Sequence, residues 1–74
     1  MTGSTATYHV TGMTCQHCVS AVQEEVGALA GVVRVDVQLV EGGTSTVTVD
    51  SATPLDTQAV RDAVEEAGYD LLTP

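Results

Sequence analysis

The 74-residue chain contains no Phe, no Trp, no Ile and no Lys, and its cysteines number only two. Without large aromatics or isoleucine, an interior has to be built from Val, Ala and Leu with a little Tyr and Met. At this length a single core is only marginally sufficient, so the expectation is one domain over residues 1–74 with a thin core and modest stability. Without lysine, ten acidic residues face only Arg34 and Arg61, for a formal net charge of −8. That balance excludes nucleic acid, whose phosphates need a basic face, and it argues equally against anionic membranes. No run approaches the ~18 apolar residues of a membrane-spanning helix. The first residues, Met1 to Thr5, carry neither the basic nor the apolar region of a secretory signal. A cytoplasmic protein with no membrane insertion is therefore expected. In that setting two thiols point to metal or redox chemistry rather than a structural staple.

What is present is organised around Gly12-Met13-Thr14-Cys15-Gln16-His17-Cys18. Before it, Thr5 to Val10 alternates, with Ala6, Tyr8 and Val10 on one face, as a half-buried strand does; Met1 to Ser4 reads as a frayed start. After it, Val19, Val22, Val26 and Leu29 recur at helical spacing over Gln16–Leu29. Gly27 implies close packing or a weak last turn, and Gly31 sits where a left-handed cap is wanted. Val33, Val35, Val37 and Leu39 then alternate through a strand over Val32–Val40. Glu41-Gly42-Gly43-Thr44 reads as a hairpin turn, and Ser45–Val49 returns with Val47 and Val49 inward. Thr53-Pro54-Leu55-Asp56 resembles a helix start with Thr53 as cap. That helix reaches Ala67 with Val60, Ala63, Val64 and Ala67 inward; Gly68 ends it, and Tyr69–Leu72 forms a last strand before Thr73-Pro74.

The order β-α-β-β-α-β predicts an α+β, ferredoxin-like sandwich: a four-stranded antiparallel sheet with two helices on one face. In that topology the first loop and the loop before the last strand emerge at the same end, which places Tyr69 near Cys15 and Cys18.

A Cys-x-x-Cys at the start of a helix sets two thiols on one turn, close enough to hold one small ion. Sulfur is soft and polarisable, so such a pair selects soft ions, Cu(I) above all. The helix N-terminus favours thiolate over thiol. Other uses of the same cysteines fit the sequence less well. A buried pair with no ion fits poorly with an exposed loop. A dithiol oxidoreductase usually has a longer fold, with an aromatic and a Pro around the pair; here Gln16 and His17 intervene. Structural zinc wants four ligands, and only His9 and His17 remain, the latter awkwardly adjacent to Cys18. His17 either faces water, tunes the thiolates or serves as a ligand for additional copper when chains associate. His9, on the outer face of its strand, reads as a surface residue. The acidic surplus serves solubility, or steers the chain toward a basic partner surface; Glu65, Glu66 and Asp70 cluster where the second helix dipole disfavours negative charge.

Gly12-Met13-Thr14-Cys15-x-x-Cys18, followed by Gly31-Val32, the Val35/Val37/Leu39 strand and Glu65-Glu66-Ala67-Gly68-Tyr69, resembles the heavy-metal-associated domain family, and within it the bacterial cytosolic copper chaperones. The resemblance runs from about Tyr8 to Leu72. It implies a non-enzymatic carrier that holds Cu(I) between Cys15 and Cys18 and delivers it to the metal-binding domains of a P-type copper-transporting ATPase. It further implies that Met13 turns inward to support the loop, that Thr14 marks the copper-type motif, and that Tyr69 lies close to the metal. An excised N-terminal domain of such an ATPase is the alternative context. A copper-bridged homodimer is a further expectation from exposed thiols on a small module.

Overall fold

The alternating and helical patterns assemble into the expected layers in a computed structural model, which describes residues 3–72. The elements are β1 (Ser4–Thr11), α1 (Gln16–Gly27), β2 (Val32–Gln38), β3 (Thr44–Ser51), α2 (Thr57–Glu66) and β4 (Asp70–Leu72). They form a four-stranded antiparallel sheet in the order β2-β3-β1-β4. Both helices cover one face: α1 lies over β2, α2 over β4, and the helices touch each other. This is the ferredoxin-like βαββαβ arrangement. The other face is solvated and rich in threonine, with Thr5, Thr7, His9 and Thr11 opposite Asp50, Thr48, Thr46 and Thr44.

Between the layers, Val10, Met13, Val22, Val26, Val47, Val49, Val60 and Val64 are fully buried, joined by Ala63 and Leu71. The core is therefore mostly valine. β-Branched side chains suit the pleated surface, and on the helices their spacing turns them to the same side. Two serines are buried with them, each satisfied. Ser45 Oγ accepts from Val40 N at 2.9 Å, and Ser51 Oγ donates to Thr53 O at 2.6 Å.

Several boundaries and faces differ from the sequence-based expectation. Ser4 is not frayed but pairs with Ser51 in β1; Met1, Thr2, Thr73 and Pro74 lie outside the described residues. α1 stops at Gly27, two residues early, and Ala28 is its cap in right-handed conformation. A side chain at Gly27 would meet nothing within 4 Å, so this glycine marks a weak last turn and not a close contact. Gly31 does have positive φ, +87°, but it serves the turn into β2, where its carbonyl accepts from Ala52 N at 2.7 Å. Leu29 still packs against the core from beyond the helix.

β2 ends at Gln38, and Val33 points outward, 75% exposed. A register shift between Val32 and Arg34 is the cause: the irregularity turns Val32 toward the core and pushes Val33 out. β3 is longer than expected, because eight consecutive residues find partners on β1. The cap of α2 is Asp56, whose Oδ1 accepts from Gln58 N at 3.1 Å. Asp outcompetes the earlier Thr53 because its carboxylate sits where the orphan amides begin. The helix body ends at Glu66 with Ala67 as cap, and Tyr69 precedes the last strand instead of opening it.

Candidate metal centre

The cysteine-bearing loop is built from the core outward. Val10 ends the buried part of β1, Gly12 turns the chain at φ +97°, and Met13 drops its whole side chain into the core. That anchor lifts the next residues to the surface: Thr14 and Cys15 are exposed and Cys18 is half-buried. Cys15 is the N-cap of α1, extended at φ −157°, and its carbonyl accepts from Cys18 N and Val19 N. Its side chain makes no capping bond.

Both cysteines are free, and their sulfurs stand 3.5 Å apart. Thr14 Oγ1 lies 3.9 Å from Cys18 Sγ. The two thiols are in hydrogen-bond contact. Among the described residues, no group of three or more His, Cys, Asp or Glu side chains could hold a metal. The donors brought together here are two sulfurs, a pairing that would suit a soft ion of low coordination number.

The electrostatics favour ionised sulfur at Cys18. Its thiol is lowered from 9.0 to about 6, foremost by hydrogen bonding with the Thr14 main chain and next by the Tyr69 hydroxyl; Cys15 adds a side-chain and a main-chain bond, while partial burial opposes the shift. The same contact pushes the Tyr69 hydroxyl above its usual value, because ionising it would lose the bond to Cys18 and set two negative charges together.

Sheet register brings Tyr69 to this site. β4 pairs with β1 through Thr11↔Asp70, so the next residues outward, Gly12 and Tyr69, face each other. A Cβ on Gly12 would lie 3.4 Å from Tyr69 Cδ1, so the ring rests against the cysteine-bearing loop. The structure therefore brings together Cys15, Cys18, Thr14 and Tyr69, with Met13 beneath them. His17 is exposed between the cysteines and takes no part in lowering Cys18; His9 is exposed on the far face of the sheet.

The sequence gives no sign of the Thr14 main-chain contact, which depends on loop geometry that no residue identity announces. Gly12, in the cysteine motif, and Gly68, at the expected helix end, both have positive φ and shape the loops on either side of Tyr69.

Residues 7–70 match the family model of the heavy-metal-associated domain. The copper chaperone CopZ of Bacillus subtilis (strain 168) is 46% identical over 65 residues, covering 88% of this chain and 91% of that protein. A solved CopZ metallochaperone superposes with a TM-score of 0.80 at 34% identity, over 93% of this chain and all of the other. The Cu(I)-loaded N-terminal domain of a potential copper-translocating P-type ATPase from Bacillus subtilis superposes with a TM-score of 0.78 at 27% identity, over 93% and 84% of the two chains. With its sulfur pair at the head of the first helix of a βαββαβ sandwich, the chain belongs to the heavy-metal-associated domain family.

Proposed function

We propose that this single-domain protein, residues 1–74, is a cytoplasmic Cu(I) carrier in which Cys15 and Cys18 are the metal ligands. The observation that carries the reading is a pair of free sulfurs 3.5 Å apart, Cys15 exposed and Cys18 half-buried, at the head of α1. Two thiolates around Cu(I) leave one net negative charge and open coordination space. A partner's thiolate enters on the exposed Cys15 side and forms a three-coordinate intermediate. Copper then passes by ligand exchange, with no redox step and no catalytic turnover. Met13 holds the loop from below, Thr14 and Tyr69 stabilise the Cys18 thiolate, and His17 stands beside the ligands where a second chain would approach.

The partner that this reading favours is the metal-binding domain of a P-type copper-transporting ATPase. Relatives of both kinds, chaperones and ATPase N-terminal domains, share the fold and support an exchange between like modules. The acidic surface suits a docking face that is basic. At high copper loading, the exposed sulfurs bridge two chains into a homodimer.

The test is an anaerobic competition against a Cu(I) chelator. The unaltered protein takes one ion tightly, and Cys15→Ser or Cys18→Ser abolishes tight binding; an unchanged affinity in either variant refutes the ligand assignment. The same cysteines in a domain of the ATPase itself would bind equally well, and the gene context separates the two. A dithiol oxidoreductase would instead turn over a disulfide substrate in metal-free form, where a carrier reacts at most stoichiometrically.

A further inference from the structure

Tyr69 reaches Cys18 from a loop that is itself tightly built. α2 ends in a pair of nested hydrogen bonds, Tyr69 N to Val64 O at 3.1 Å and Gly68 N to Glu65 O at 2.9 Å. This is a Schellman turn, and it closes only when the residue between them is left-handed; Gly68 has φ +97°. The turn fixes the main chain of Tyr69 at the moment the chain leaves the helix. Register with β1 then sets the ring against Gly12, which is also left-handed, also at φ +97°.

The surroundings of the two glycines differ in a useful way. A Cβ on Gly12 would touch the Tyr69 ring at 3.4 Å, whereas a Cβ on Gly68 would meet nothing within 4 Å. Gly68 is therefore required by its backbone conformation and not by crowding. Its conformation has one consequence outside the helix end, the direction in which Tyr69 departs.

We propose that Gly68 is a positioning residue of the metal site: its left-handed turn holds the Tyr69 ring between Gly12 and Cys18, as a cover over the inner of the two sulfurs. Resting on the copper-carrier reading, this assigns the end of α2 a part in how firmly cargo is retained. With the cover in place, an incoming ligand reaches the metal only from the Cys15 side. With the turn broken, the Cys18 side opens as well.

Gly68→Ala forces an L side chain into a left-handed position and should break the turn, while Gly68→Asn, the L residue that enters left-handed conformations most readily, should strain it less. Transfer of Cu(I) from the loaded protein to an excess of chelator is timed for both, alone and combined with Tyr69→Ala. Expected are several-fold faster transfer from Gly68→Ala, a smaller acceleration from Gly68→Asn, and no further acceleration when Gly68→Ala is added to Tyr69→Ala. Equal acceleration with and without the tyrosine overturns the proposal, because independent effects add and effects through one residue do not. Should Gly68→Ala fail to fold by circular dichroism, Gly12→Ala approaches the same ring from the other loop and is put through the same cycle. In the metal-free protein, nuclear Overhauser contacts from the Tyr69 ring to Gly12 and Cys18 should vanish in Gly68→Ala and persist in Gly68→Asn. Persistence in both variants overturns the positioning role with no copper present, whereas failure of the unaltered protein to bind Cu(I) condemns the carrier reading instead.

Discussion

Three groups converge on Cys18 and favour its thiolate over the thiol: the Thr14 main chain, the Tyr69 hydroxyl and Cys15. Following thiolate absorbance in the metal-free protein should therefore reveal one sulfur ionising near pH 6, far below the ordinary 9.0. Tyr69→Phe should move that midpoint upward, since it deletes one donor and leaves the ring. An unmoved midpoint would mean that the tyrosine contact contributes nothing. The sequence showed where the sulfurs are and that a helix start favours their ionisation. It also showed, through topology alone, that Tyr69 comes near. It was silent on the main-chain contact at Thr14, because that contact depends on how Gly12 and the buried Met13 shape the loop. His17, between the two cysteines, is exposed, and the groups that lower the Cys18 thiol are Thr14, Tyr69 and Cys15.

Among the elements, α2 and β2 carry the sharpest expectations. Asp56→Ala removes the bond to Gln58 N and should cost about 1 kcal/mol, whereas Thr53→Ala leaves that cap intact; denaturant midpoints compare the two. On β2 and β3, the register shift separates valines that look alike in sequence. Val33→Thr alters an exposed side chain and should stay within about 0.5 kcal/mol. Val49→Ala empties a fully buried position and should cost about 2 kcal/mol from the lost methyl groups and the space they leave. Equal costs at the two sites would contradict the bulge. Periodicity made all six elements legible, since apolar residues at spacings of two or three to four point inward wherever the chain runs. Their ends were less so. Asp56 and Thr53 are both good caps, and the choice between them depends on where α2 docks. The outward turn of Val33 depends on pairing with residues some seventeen positions away in β3, which no local pattern records.

At the scale of the whole molecule, charge and protonation act together on a small valine core. The ionised Cys18 stabilises the folded, metal-free protein: its folded pKa is about 6, against 9.0 for an unperturbed thiol. Between those values the unfolded chain binds the extra proton, so this contribution is fully present above pH 9, shrinks as pH falls, and is gone once pH has dropped through about 6. Denaturant midpoints measured across that range should rise with pH more steeply for the unaltered protein than for Cys18→Ser, and parallel curves would contradict the linkage. The formal charge of −8 adds self-repulsion that salt relieves. The proposed function comes down to one claim, that a dithiolate at the open end of the sandwich holds Cu(I) tightly while leaving it accessible. The most direct test is native mass spectrometry of the reduced protein titrated anaerobically with Cu(I) in the presence of excess glutathione. The account predicts a species with one copper per chain that survives the competitor, followed by a copper-bridged dimer at higher loading. A chain stripped bare by glutathione at every copper level would contradict it.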